Sequence, residues 1–418
     1  MDNNALLLLE GAKKAKQTIG VQGEIGFGGG LYGGDPADLE AIGLSPMPNN
    51  DDPTNENYGS YQHTSGSVML FIPAFCYRIG GSSAPSYSRD GDNALEIRDA
   101  SLGEGNGWIL HRAFIDGGKE KSGFFIDKYL CSKDSTGELA ISVKNGNPII
   151  TASSYTDINS SPMPGCVGAV YDAITLSKAR GEAYACVSVF QWSAIAMLSL
   201  AHGQAAKSTK ECAWFDSSYQ TNFPKGNNNG LVDIDDSSVT FTSIGNREET
   251  SLTGSASNLA KTTHTGQIWG ITDINGNKWQ PLLGWKNPSS KLIMLAKESV
   301  RMHDFTKDNR HDTSMFDTVS IETGYGQYSF GGTSAFYKDS SGTGRAMCGV
   351  HPKTHLSVDT PLFGKDGVYV SYGSEHVAAT SGVSGSGKRA GVWSRFFDRV
   401  SWTQDTAYVS FRAAGYAK

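Results

Sequence analysis

Side chains suited to recognition crowd the end of this chain. Trp393, Arg395, Phe396, Asp398, Arg399 and Ser401 fall in one short run, and Tyr369, Ser371, Tyr372, Ser374 and His376 are spaced through the segment before it. The chemistry of such a set is noncovalent. Trp, Tyr and Arg give large contact energy per ordered side chain, while Ser, Asp and His adapt the hydrogen bonding. Alternate residues of an extended segment share a face. The alternation breaks between Ser371 and Tyr372, which predicts a bend or bulge there. The two runs are expected to form two rims of one contact surface.

Covalent and metal chemistry finds weaker footing. Gly382 to Lys388 carries the glycines and lysine of a phosphate-binding loop, but Arg389 stands where Ser or Thr must hold magnesium. His303-Asp304 and His311-Asp312 bracket Asp308 in a polar stretch whose Lys307-Asp308-Asn309-Arg310 reads as a solvated loop. Pro352 forbids an ordinary helix between His351 and His355. Asn227 to Asp236 offers hard oxygen ligands for a structural calcium, without EF-hand spacing, so a turn is the default there. Cys76, Cys131, Cys166, Cys186, Cys212 and Cys348 form no Cys-x-x-Cys pair and are expected to be buried free thiols. No catalytic residue is assigned.

The chain has 418 residues and a formal net charge of -6, which argues against a general nucleic-acid or anionic-membrane binder. Its 50 glycines are scattered among aromatics, which excludes a collagen-like repeat and predicts many turns. No run approaches the ~18 apolar residues of a membrane span. Leu6 to Leu9 is too short for a signal core and follows Asp2, so folding in a cytoplasm is expected.

The elements that must position the site follow from local signals. Residues 3 to 17 read as a helix. Asp35-Pro36 and Gly43 bracket a short one over Ala37 to Ile42. Pro46 to Asn57 reads as a linker. Val68 to Ala74, Trp108 to Phe114 and Gly123 to Cys131 read as strands. Ser188 to His202 is the clearest helix, capped by Ser188 and ended by Gly203, with Phe190, Ala194, Met197, Leu198 and Ala201 as its apolar face. A second helix is expected over Ser177 to Val187. The last strand places Val409 and Phe411 on one face, and Tyr408, Ser410 and Arg412 on the other. Trp192, Trp269, Trp279 and Trp285 are expected in the core. About half of the aromatics from Trp393 to Tyr408 are expected on the surface.

Several segments carry a resemblance. Val68-Met69-Leu70-Phe71-Ile72-Pro73-Ala74, Gly123-Phe124-Phe125-Ile126-Asp127-Lys128-Tyr129, the helix with Phe190-Gln191-Trp192-Ser193-Ala194, the turn Asp273-Ile274-Asn275-Gly276-Asn277-Lys278-Trp279, and the ending Val409 to Ala414 occur in this order. Together they resemble the formylglycine-generating-enzyme type of C-type lectin fold, which variable proteins of diversity-generating retroelements use, many on phage tails. The resemblance implies an α+β lectin-type domain over 66–418, with long loop insertions and both terminal strands in one antiparallel sheet. The contact region would be at about 366–414, and a Gly-rich attachment or oligomerisation module at 1–65. The enzymes' C-terminal cysteine pair is missing, since no cysteine follows Cys348. Gln280 replaces the acidic residue after the turn's tryptophan, and neither calcium-lectin run occurs.

What the resemblance then implies is adhesion. The chain would be a receptor-binding protein at a phage tail-fibre tip, located in the virion after assembly in the host cytoplasm. It would be a homotrimer, bound to other tail-fibre proteins and to a host surface receptor, protein or glycan, without cofactor or membrane insertion. The rivals are an oxidase-like enzyme and a cellular adhesin on the same fold.

Overall fold

The computed structural model describes residues 19–32, 36–150, 169–215, 223–245, 249–289, 292–309, 312–320, 326–330, 336–338, 342–353, 355–356, 366–370, 376–401 and 407–417. It is a mixed α+β molecule in which sheets predominate. The helix expected over 3 to 17 lies outside the described residues.

The first sheet is built from β1 (Leu44–Pro46), β2 (Ser60–His63) and β3 (Val68–Pro73). A hairpin-like layer of β4 (Phe75–Ile79), β5 (Leu95–Asp99) and β6 (Ile109–Leu110) follows, then the small hairpin β7 (Ile115–Asp116) and β8 (Lys119–Glu120). The chain returns through β9 (Gly123–Asp127) and the pair β10 (Cys131–Lys133) and β11 (Ala140–Ser142), and later through β12 (Tyr184–Cys186). The first sheet is completed by β22 (Ala413–Gly415), giving the order β1-β2-β3-β9-β22-β12, antiparallel throughout. The opening and closing strands therefore both pair with β9, as expected for a fold that gathers its ends. This sheet also runs across residue 65, because β2 pairs directly with β3.

The second half forms β13 (Gln280–Leu282), β14 (Trp285–Ser289), β15 (Leu292–Ala296), β16 (Phe316–Ser320), β17 (Gly326–Phe330), β18 (His355–Leu356), β19 (Gly367–Val370), β20 (His376–Ser381) and β21 (Gly391–Ser401). β14, β15 and β16 make a three-stranded sheet, and the rest make a six-stranded second sheet in the order β13-β20-β21-β19-β17-β18. Only the β19–β21 pairing is parallel among the described ladders.

The helix Val189–Ala205 lies in the core that the elements share. Ser188 Oγ accepts from Gln191 N, and Gln191 returns a bond to the Ser188 backbone, a capping box legible in the sequence. Every residue from Val189 to Gln204 is buried, so the helix has no solvent face. Ala194, Ala196 and Ala201 let neighbours approach closely, and Trp192 Nε1 donates to Val392 O at 2.8 Å, tying the helix to β21. The helix Pro36–Ala41 matches its Asp-Pro start and Gly43 stop.

The helix expected over Ser177 to Val187 is instead Ala169–Lys178 followed by β12. Gly181 breaks the run, and Tyr184, Ala185 and Cys186 pair with Gly415, Ala414 and Ala413. Ladder pairing overrides the local helical pattern. The last strand is also shorter than expected. Val409 makes an isolated parallel bridge to Trp279, and Arg412, expected to face out, is buried.

Arg412 spans the two sheets. Its Nη1 donates to Asp127 O (2.9 Å), its Nη2 to Thr272 O and to Asp273 O (3.0 Å), and its Nε to Gln280 Oε1 (2.8 Å). The Gln280 amide in turn donates to Asp273 O (2.8 Å) and Ser381 Oγ (2.6 Å). A carboxylate at position 280 could accept from Arg412 but could donate neither bond, which explains the amide there.

Three histidines are sealed in this core. Burial pushes His111 and His264 down to about 3 and His202 to about 4. Each stays neutral in the folded chain and takes up a proton near pH ~6.5 once unfolded. Their contribution is therefore complete above pH ~6.5 and is lost as pH falls towards their folded values, by up to ~1.4 kcal/mol per unit for each. Urea midpoints at pH 7, 6 and 5 should fall steadily. A flat series would contradict neutral burial of these rings.

Candidate functional site

β21 is the central strand of the second sheet, flanked by β20 and β19. Its first part is fully covered. Val392, Trp393, Ser394, Arg395 and Phe397 are at 0% exposure and Phe396 at 6%. Phe396 stacks on Trp279 at 5.3 Å, Phe397 on Trp285 at 4.3 Å, and Trp393 meets Phe336 at 5.7 Å. Trp393, Arg395 and Phe396, expected as a contact rim, are therefore core residues. The physical reason is that this strand is packed on both faces. Its near-continuous Val-Trp and Phe-Phe apolar pairs carried that signal, since alternation is the mark of a strand with one wet face.

Arg395 acts as an internal clamp. Its guanidinium donates to Val392 O (2.9 Å), Ser394 O (2.8 Å) and Gly349 O (3.1 Å). Asp366, just before β19, accepts from Trp393 N at 2.7 Å. Burial pulls Arg395 down to about 9 and pushes the Asp366 carboxyl well up, and the attraction between the two opposes both shifts. A Cβ on Gly391 would overlap the Asp366 carboxylate, so only glycine fits there. The clamp fixes where β19 starts against β21.

The other end of this sheet is where the remaining expected residues fall. Gly326 opposes Val370, Tyr369 opposes Phe396, and His376 opposes Ser401. The start of β17, the end of β19, the start of β20 and the end of β21 thus lie together. Residues 371–375 join strand ends on either side of β21. Tyr369 is half-buried and packs on the main core. His376 opens β20, and Asp398, Arg399 and Ser401 occupy the end of β21. Ser371, Tyr372 and Ser374 lie in the 371–375 link, outside the described residues, as does Trp402.

Register sharpens the picture. Val377 opposes Val400 while Ala379 opposes Phe396, so β21 carries extra residues between Phe396 and Val400. Such a bulge bends a strand and re-aims its side chains. It falls between Phe396 and Val400, toward the end of β21. Tyr408, the one residue of the last segment with a large exposed ring among the described residues, is 47% exposed.

The remaining motifs are structural where described. Gly382 to Arg389 leads from β20 through a 3-10 turn into β21, without the helix a phosphate loop requires, and Lys388 Nζ sits 3.4 Å from Asp235 Oδ1. Asn227 Oδ1 accepts from Leu231 N (2.9 Å), Asn228 Oδ1 from Ile234 N (2.8 Å), and Asp233 Oδ2 from Gly226 N (2.9 Å), so these oxygens brace the turn. His303 Nδ1 donates to Tyr184 O at 2.8 Å. His351 stacks on Trp285 at 6.1 Å; His311 and the His355 side chain lie outside the described residues. Cys76, Cys131, Cys186, Cys212 and Cys348 are buried free thiols, with pKa values raised by burial. Among the described residues, no group of three or more His, Cys, Asp or Glu side chains is placed to hold a metal ion. No described helix is long and apolar enough to cross a membrane.

No protein-family model matches the chain. No curated protein matches it either. Among solved structures it is similar to the Major Tropism Determinant U1 variant, at 10% identity and a TM-score of 0.29, covering 84% of this chain and 63% of that one. The M1 variant gives 10% identity and a TM-score of 0.30 over the same shares, 84% and 63%. The I1 variant gives 10% identity and 0.29, covering 91% and 84%. The chain thus spans 63% of the length of the U1 and M1 variants that it matches.

Because Trp393 and Arg395 are sealed, truncating either should cost about 3–5 kcal/mol, through a cavity in one case and through orphaned carbonyls and an unpartnered Asp366 in the other. Chemical denaturation of Trp393→Ala and Arg395→Ala checks this. Native-like midpoints for both would return these residues to the surface.

Proposed function

We propose that this chain is a receptor-binding protein that adheres to a host surface through the strand ends and links of its second sheet. The observation that carries the reading is the convergence of β17, β19, β20 and β21 at one sheet end. On this reading the run Tyr369 to His376 and the residues Asp398, Arg399 and Ser401 form the contact surface at that end, beyond the covered part of β21. A rigid base beneath links rich in Tyr, Ser, His and Arg is how recognition surfaces combine adaptable contact with low ordering cost. The buried aromatics and Arg395 supply the base. The contact residues of this proposal are Tyr369, Ser371, Tyr372, Ser374, His376, Asp398, Arg399 and Ser401.

The ordered sequence resemblance to the formylglycine-generating-enzyme type of C-type lectin fold, together with an antiparallel sheet that gathers both ends of that stretch, supports a lectin-type domain with long insertions. On that reading the natural setting is a phage tail fibre, the location the virion, the assembly a homotrimer attached to other fibre proteins, and the region 366–414 the part a retroelement would diversify. The tropism-determinant names of the similar structures accord with such a role. Binding is favoured over thiol-based oxidation because the described cysteines are buried and held as thiols, whereas the reactive form is an accessible thiolate.

The test is adhesion by a variant carrying Ser371→Ala, Tyr372→Ala and Ser374→Ala, on bacterial cells that the unaltered chain coats. The expected result is at least a tenfold loss of cell binding, with the denaturation midpoint held within the ~0.5 kcal/mol typical of surface changes. Full adhesion by the folded variant would overturn the assignment of this sheet end.

A further inference from the structure

A cavity of about 650 Å³ lies beside the edge strand β12 of the first sheet, in a different sheet from that end. Its construction explains why it stays open. An edge strand leaves unpaired backbone groups. Here the turn at 301–304 covers them at a distance, with side chains rather than a ladder. Arg301 Nη2 donates to Glu182 O (3.0 Å) and His303 Nδ1 to Tyr184 O (2.8 Å). The turn is held away from the strand by Asp116, which accepts from Met302 N at 2.8 Å, and by Gly118 N donating to Glu298 O at 2.7 Å. The β7–β8 hairpin, this turn, the β12 edge and the segments at Gly43 and His63 are the walls.

The free valence on those walls is mostly donor. Lys119 is exposed and Lys121 half-buried on and just after β8, and neither ammonium has an ion pair. Arg301, besides its bond to Glu182 O, has Asp304 at 4.0 Å. His63 is already committed, its Nδ1 accepting from Ser65 N (3.0 Å) and its ring bonding the Arg180 backbone. The wall's own charges are largely committed. Arg180 is closed on Asp127 at 2.5 and 3.0 Å, and Asp116 is buried and holds the turn; Glu182 is the free carboxylate, at the rim. Tyr184 and Tyr416 are buried, and their hydroxyls already donate to Ile42 O and Ala113 O.

We infer that this cavity is a second ligand site, and that its ligand is an acidic sugar: a pyranose whose carboxylate meets the Lys119 and Lys121 ammoniums. The volume falls within the ~300–1,000 Å³ of small-molecule sites. Two ammoniums on alternate residues answer a carboxylate, the methyls of the exposed Ala41 and half-buried Ala183 on the wall suit the C–H face of a sugar, and the rim Glu182 accepts from hydroxyls. The site shares no residue with the sheet-end surface and does not depend on it.

The experiment is calorimetric titration of the full chain with digalacturonate, with cellobiose and with sodium sulfate, at low and at moderate salt. Digalacturonate is expected to bind, to weaken as salt rises, and to lose at least tenfold in affinity in the Lys119→Ala/Lys121→Ala variant. Because neither lysine makes an ion pair or side-chain hydrogen bond among the described residues, and Lys121 acts on Asp116 only at longer range, that variant should nearly keep its melting temperature, which the same samples report. Cellobiose and sulfate should give no saturable binding. Absence of digalacturonate binding, or unchanged binding by the folded double variant, overturns the site. Equal binding of cellobiose overturns the role of the carboxylate, and equal binding of sulfate reduces the site to a bare anion patch. No cells enter this titration, so its failure is separate from failure of the adhesion reading.

Discussion

A buried guanidinium must have its donors answered, and the Arg412 side chain is the place where this constraint organises the molecule. Its partners are Asp127 O on β9, Thr272 O and Asp273 O in the turn before β13, and Gln280 Oε1 at the start of β13. Next to it, Ala413 N donates to Asp127 Oδ2 (2.7 Å), and that carboxylate also closes on Arg180. One short stretch of chain thus joins the first sheet to the second. Removing an acceptor would strand a charge inside, which costs far more than the pair contributes net. Such networks fix one arrangement more than they add stability.

From there the order passes outward. Gln280 hands the arrangement to Ser381 at the end of β20, and β20 pairs with β21. Arg395 and Asp366 repeat the same device within the second sheet and set the parallel neighbour β19. The strands therefore reach their far end in a fixed relation, with the polar clamps and stacked aromatics in the covered part of the sheet.

The sequence told some of this and hid the rest for identifiable reasons. Ser188 and Gln191 announce their helix because a capping box is a local device. Pro36 and Gly43 bracket theirs for the same reason. The run after Ser177 looked helical, yet Tyr184 to Cys186 became a strand because their partners stand at Ala413 to Gly415, far along the chain. Trp393, Arg395 and Phe396 have the composition of a binding surface, and the one local sign that both faces of their strand are covered is its unbroken Val-Trp and Phe-Phe pairs. Arg412 was read as outward because alternation alone cannot foresee four buried acceptors. Ser401 stands well apart from Tyr369 and His376 in sequence, and only the strand pairing brings their backbone positions to one end of the second sheet. The cavity beside β12 left no linear signal, since its walls come from segments scattered along the chain.

The measurement that tests the account most directly is hydrogen–deuterium exchange of the chain, free and bound to the cells it coats. Binding should slow exchange at 369–376 and 398–406, while Val392 to Phe397 exchanges slowly in both states. Protection confined to other segments, or rapid exchange of Val392 to Phe397 in the free chain, would contradict a sealed base carrying its contact surface at that end.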